Sequence, residues 1–311
     1  HRDLENRRDS KKMRDMDPLE NIILKNCPVL EPLPTNIKAQ LNKLDGVKAV
    51  LFDVYGTLVI SGSGDVGTAT AIDTEEALTQ ALVVSGFEGD LEKAGVIGKQ
   101  MLKEQILAWH QAGREAGADF PEVEITKVWL KIIETLCNTE TLRGRNHGIE
   151  KIRRLALEYE CRVNPVHPMP GCLEILDQLK QRNFPLGIVS NAQFYTPLIF
   201  SAFFEKNLEE IGFDPECCIW SFRELKAKPS ADLFPKAGKF LKKNHGVELS
   251  ETVYVGNDML NDVYTAQQAG CKTVLFAGDK RSLRMRETDE RCAKIKPDAV
   301  ITSLDQLSGI I

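Results

Sequence analysis

No stretch of this 311-residue chain approaches the roughly 20 consecutive apolar residues that cross a bilayer. Its opening HRDLENRRDSKKMRDM is charged and polar, without the apolar segment of a secretory signal. A cytoplasmic protein with no membrane partner is expected. Lys/Arg-rich runs are missing beyond the first fifteen residues, and the formal net charge is −5. That balance argues against a nucleic-acid surface, because phosphate backbones are held by clustered cations. The eight cysteines, at 27, 137, 161, 172, 217, 218, 271 and 292, form no CxxC, and the five histidines form no HxxxH or HExxH. A histidine-built zinc site is therefore not expected, and the thiols, adjacent Cys217 and Cys218 included, read as reduced core residues. Walker loops and dinucleotide fingerprints are absent as well. A small soluble molecule is the substrate class left, and no sequence feature fixes an oligomeric state.

What the chain does contain is alternation. From Gly46 onward, short apolar runs at Val47 to Phe52, Leu186 to Val189, Cys218 to Trp220, Val253 to Val255, Thr273 to Phe276 and Ala299 to Ile301 are separated by helical spacing. This is the pattern of an α/β protein with a doubly wound, Rossmann-like, mostly parallel sheet. One interval is too long for a single crossover. Residues 66–165 show helical periodicity near Glu75 to Val84, Leu91 to Glu115, Ile125 to Cys137 and Ile149 to Glu160, with hardly any buried-strand run. An inserted all-helical cap domain accounts for them, hinged at SGSGDVG (61–67) and NPVHPMPG (164–171). The core domain is then 47–65 with 166–311, and residues 1–46 form an N-terminal leader, partly disordered or packed on the core.

Ligands of open parallel sheets bind beyond the carboxyl ends of the strands. Here those ends carry Asp53-Val54-Tyr55-Gly56-Thr57, Ser190-Asn191, Lys226-Ala227-Lys228-Pro229 and Gly256-Asn257-Asp258-Met259-Leu260-Asn261-Asp262. A carboxylate, a hydroxyl with an amide, an ammonium and an acidic cluster would converge on one crevice. Any one of these has a plainer explanation as a turn, a helix cap or a solvated lysine. The four together, in order, fit an aspartate nucleophile with groups that hold charge around it.

In these residues the chain resembles the haloacid dehalogenase superfamily: DVYGT matches its DxxxT motif, VSN its Ser/Thr, KPS its Lys ahead of a helix, and GNDMLND its acidic loop. The likeness covers about residues 47–310 and includes a helical cap between the first and second motifs. It implies a hydrolase with Asp53 as nucleophile and Lys228 as the ammonium that offsets it. Ser190 and Asn191 would bind the substrate anion. Asp53, the Tyr55 carbonyl, Asn257, Asp258 and Asp262 would hold a hexacoordinate Mg²⁺ with waters.

The match departs from pattern at Tyr55. Phosphatases of this superfamily carry an Asp there to protonate the leaving group, and a phenol is a poor general base near neutrality. DxYGT is the 2-haloacid dehalogenase form, in which halide leaves without a proton. Against that stand Asp258, which a metal-free enzyme does not need, and the lack of a halide-receiving arginine between Ile60 and Lys99. The favoured expectation is a Mg²⁺-dependent phosphohydrolase of a small phosphorylated metabolite, drawing its proton from water, from the substrate or from a cap residue such as His110 or Arg114. A 2-haloacid dehalogenase is the alternative, and a non-catalytic binding or regulatory protein the third reading. Trp109 and Trp129 in the cap are expected to be cap core rather than substrate contacts.

Overall fold

The computed structural model describes residues 17–64, 74–145 and 147–311. Residues 1–16 of the leader and 65–67 of the first hinge lie outside them. Six strands form one parallel sheet in the order β5-β4-β1-β6-β7-β8. They are β1 (Ala49–Phe52), β4 (Leu186–Ser190), β5 (Phe213–Trp220), β6 (Thr252–Gly256), β7 (Lys272–Phe276) and β8 (Ala299–Ile301). The central strands read as unbroken apolar runs because both faces are covered. Val50 and Phe52 of β1 point into one core, while Ala49 and Leu51 point into a second core filled by Leu233, Phe234, Ala237 and Leu241. Those last four lie on one face of the helix Leu233–His245.

The leader residues that are described pack rather than stray. Asp17 accepts a hydrogen bond from Leu19 N at 2.8 Å and caps helix α1 (Pro18–Asn26), whose Ile22 and Ile23 are buried. Four further helices follow β1 and a short strand β2 (Val59–Ser61): α2 (Thr74–Val84), α3 (Leu91–Glu115), α4 (Ile125–Asn138) and α5 (Ile149–Val163). The chain returns through β3 (Val166–Pro168), which pairs antiparallel with β2, so entry and exit of the helical cap run side by side. Asn164 fastens this neck: its Oδ1 accepts from Ser61 Oγ at 2.8 Å and from Ser63 Oγ at 2.9 Å. Helix α1 packs against both α5 and the core helix α7 (Thr196–Phe204), which follows α6 (Cys172–Gln181). Helix α8 (Leu233–His245) completes the numbering used below.

Strand β5 begins at Phe213, five residues earlier than its apolar run indicates. The added part, Phe213 to Cys217, contains Asp-Pro-Glu, and its register against β4 is irregular. All eight cysteines are free and seven are buried. Among the described residues no helix is long and apolar enough to cross a membrane.

Candidate active site

The carboxyl ends of β1, β4, β5 and β6 surround one cavity of about 1220 Å³, whose other wall is cap helix and cap loop. Asp53 leaves β1 with its backbone N still bonded to Val255 O at 2.9 Å, so its place is set by the sheet. The turn that follows needs Gly56. Its φ is +81°, and a Cβ there would lie 2.4 Å from Ser282 Cβ and 2.7 Å from Asn257 Nδ2. Thr57 Oγ1 then donates to Asn257 Oδ1 at 3.0 Å, tying the first motif to the fourth.

Lys228 is the hub. Its Nζ donates to Asp53 Oδ1 at 2.8 Å, to Asp262 Oδ1 at 2.6 Å and to Tyr254 Oη at 2.8 Å, and the residue is 4% exposed. Burial opposes the ammonium charge, and the carboxylates of Asp262 and then Asp53 outweigh it, holding the lysine above its ordinary pKa. Asn191 fixes the main chain beneath, since its Oδ1 accepts from Lys228 N at 2.7 Å. Gly256 is the counterpart on β6: a Cβ there would sit 2.4 Å from the Asp262 carboxyl carbon.

The expected substrate pair separates. Asn191 lines the cavity, whereas Ser190 is fully buried, is not part of its wall, and donates to the Asn191 carbonyl at 3.3 Å. The expected metal set separates too. Asp262 is committed to Lys228 through Oδ1, and its Oδ2 accepts from Asp258 N at 2.9 Å. Asp258 Oδ1 caps the π-helical turn Met259–Tyr264 by accepting from Leu260 N at 2.8 Å. Its Oδ2 accepts from Arg286 Nη2 at 2.6 Å and its Oδ1 from Arg286 Nε at 3.1 Å, a bidentate pair. The acid that seemed surplus thus has a cationic partner. For a hard divalent ion this leaves Asp53 Oδ2, the Tyr55 carbonyl and Asn257 Oδ1, an oxygen-only set with one free carboxylate oxygen, which suits Mg²⁺ in kind.

The Tyr55 phenol turns away from the chemistry, bonding Thr196 Oγ1 at 2.9 Å. Burial first, and the nearby Glu160 charge second, push it well above the ordinary tyrosine value, so it neither gives nor takes a proton near neutrality. His110 lines the cavity and Arg114 does not. Burial and the Arg114 charge hold His110 below the usual histidine value, so its imidazole stays neutral. Trp129 is buried against Tyr159 yet also lines the cavity, whereas Trp109 does not.

Sequence reasoning missed Tyr254, Arg286 and Glu160. Tyr254 stands where an apolar strand residue is expected, donates to Val189 O at 2.7 Å and accepts from Lys228. Arg286 comes from a segment with no regular pattern. Glu160 projects from α5 into the cavity, where Asn164 Nδ2 donates to its Oε1 at 3.2 Å and Tyr195 bonds its carboxyl. Burial pushes this carboxyl above the ordinary range, against the pull of those two bonds. An acid on the apolar side of a cap helix was the one available signal.

A family model described as haloacid dehalogenase-like hydrolase matches residues 47–270. A phosphoglycolate phosphatase of Photorhabdus laumondii is 29% identical over 273 residues, 86% of this chain and 94% of that protein. A glyceraldehyde 3-phosphate phosphatase of Pyrococcus furiosus is 28% identical over 175 residues, 51% of this chain and 66% of that protein. The crystal structure of a 2-haloacid dehalogenase from Pseudomonas syringae pv. Tomato DC3000 superposes with a TM-score of 0.51 at 20% identity. It covers 85% of this chain and 97% of the other.

Proposed function

The chain belongs to the haloacid dehalogenase-like hydrolase family, and from that premise we propose that it is a Mg²⁺-dependent phosphohydrolase of a small phosphorylated metabolite. The observation that carries this reading is the buried Lys228, which holds Asp53 by one carboxylate oxygen and leaves the other on the cavity wall. The two phosphatase relatives favour phosphorus over carbon as the electrophile.

Asp53 attacks the phosphoryl group, the bond to the leaving oxygen breaks, and an aspartyl phosphate forms. Lys228 offsets charge at Asp53 and on the transferred group. Asp53, the Tyr55 carbonyl and Asn257 would hold Mg²⁺, which when bound neutralises charge on the phosphoryl oxygens. Glu160, on the cavity wall with its carboxyl pushed up by burial, is the cap acid that would protonate the leaving oxygen. Water then attacks the aspartyl phosphate, and the Glu160 carboxylate accepts the proton it releases. The cavity has room for a substrate body beyond the phosphoryl group itself.

Release of inorganic phosphate from a panel of phosphorylated metabolites tests this reading. It should require a divalent ion and fall at least about 10³-fold in Asp53→Asn; no release from any substrate at any metal concentration overturns it. The dehalogenase reading has its own support in Tyr55 and in the Arg286 partner of Asp258. Halide release from 2-chloropropionate in EDTA would decide for it.

A further inference from the structure

Far from the cavity, the edge strand β5 carries a bulge. Leu186 of β4 faces Phe213 and Ile188 faces Cys218, so two steps along β4 match five along β5. Asp214, Pro215, Glu216 and Cys217 stand opposite the single Gly187, an excess of three residues. Gly187 lets the bulged chain lie close: a Cβ there would meet the Cys217 carbonyl oxygen at 2.6 Å and Cys217 Cβ at 2.9 Å. Bulges of this kind re-aim side chains.

Here the bulge brings the Asp214 carboxylate and the Cys217 thiol together, and helix α8 ends on them. Gly246, at φ +68°, stops the helix so that His245 Nε2 lies 2.7 Å from Asp214 Oδ2. One ligand atom from each of the three residues lies within 4.8 Å of the other two. Cys217 is 0% exposed, while the His245 and Asp214 side chains are 30% and 17% exposed, so the group opens to solvent on one side. An ordinary ion pair at a helix terminus would account for His245 and Asp214. It does not account for a buried thiol whose sulfur lies within 4.8 Å of both the same carboxylate and the imidazole.

We infer that Asp214, Cys217 and His245 form a binding site for a thiophilic divalent cation of the zinc class. One thiolate, one imidazole and one carboxylate suit such an ion, whereas Mg²⁺ and Ca²⁺ take oxygen-only sets. Tetrahedral coordination at the usual bond lengths places ligand atoms roughly 3.3–3.6 Å apart. The Asp214–His245 contact therefore opens by less than about 1 Å, the sulfur draws in, and water takes the fourth position. Binding releases the thiol proton to solvent as the sulfur–metal bond forms, with no change of oxidation state. The three residues lie at 214, 217 and 245, a separation that no short metal motif spans, which is why the sequence alone conceals them. The bound ion would staple the end of α8 to the edge strand.

Cobalt titration of the metal-free, full-length protein in excess Mg²⁺ tests the site. One equivalent should bind with a thiolate-to-cobalt charge-transfer absorption, release about one proton, and be displaced by Zn²⁺. Cys217→Ala should abolish the absorption. Because that thiol is buried, the partly exposed His245→Gln serves as a second variant. It should weaken Zn²⁺ at least about tenfold while the metal-free protein unfolds at the wild-type midpoint. A wild-type protein with no charge-transfer absorption, or a His245→Gln variant with undiminished affinity, overturns the inference.

Discussion

Lys228 holds Asp53 and Asp262 on one ammonium, 2% exposed at its side chain. Removing it leaves two acids facing each other without water. Lys228→Met should therefore destabilise the protein by about 3–5 kcal/mol in urea unfolding. Adding Asp262→Asn should recover part of that loss, a coupling that a double-mutant cycle reads directly. Arg286 poses the opposite problem, since its charge competes with any cation near Asp258. Arg286→Ala should tighten Mg²⁺ several-fold, up to about tenfold, as measured by the metal dependence of phosphate release and by calorimetry. Glu160 carries part of the pH dependence, beside Asp262, whose carboxyl burial pushes up to about 7. The raised pKa of Glu160 means that the folded chain binds this proton more tightly than the unfolded chain does. The resulting stability is full below the ordinary carboxylate range and is lost as pH rises through the folded value. Glu160→Gln should flatten that dependence. It should also lower kcat by about 10²–10⁴-fold and erase the loss of turnover on the alkaline side; an unchanged profile would remove Glu160 from the chemistry.

The cap helices meet at small residues. On α3, a Cβ at Gly95 would lie 2.1 Å from Thr79 Oγ1 and 3.0 Å from Glu75 O of α2, and one at Gly98 would lie 2.9 Å from Leu78 Cδ2. Gly95→Ala should cost about 1–3 kcal/mol through overpacking despite its better helix propensity. Pairing it with Thr79→Ala, which removes the nearest atom, should bring the thermal midpoint back to or above wild type. Elements of this kind were legible because one face repeats: the helix expected at Leu91 to Glu115 and the strand at Ala299 to Ile301 have those ends in the structure. The fold of β5 from Phe213 was not legible, because Asp-Pro-Glu breaks the apolar alternation that marks a strand. Asp53 and Lys228 could be found because each stands at a strand end or before a helix within a fixed local pattern. The partners of Asp258 and of Lys228 could not, since Arg286 and Tyr254 reach them through space and carry no spacing of their own.

At the scale of the whole molecule, the described residues that join cap and core include the β2–β3 neck, the leader helix α1 lying against α5 and α7, and a clasp. In the clasp, Ala227 N donates to Phe120 O at 2.8 Å, Glu122 N to Leu225 O at 3.0 Å and Ser230 Oγ to Asp119 Oδ1 at 2.8 Å. Gln193 reinforces it, donating to Val123 O at 2.9 Å and accepting from Ile125 N at 3.0 Å. Gln193→Ala should speed amide exchange across residues 119–125 and leave β1 and β6 as protected as before. Equal protection in both proteins would show that the clasp holds without it.

Lys228 lies between Ala227 and Ser230, within the strip of core that the cap grips. A molecule too bulky for the clasp to close over would meet Lys228 on a slackened backbone. One that fits would draw the jaw shut and seat the ammonium by the same movement. The enzyme would then gauge its substrate as a caliper does, with the reading taken at the ammonium that holds Asp53.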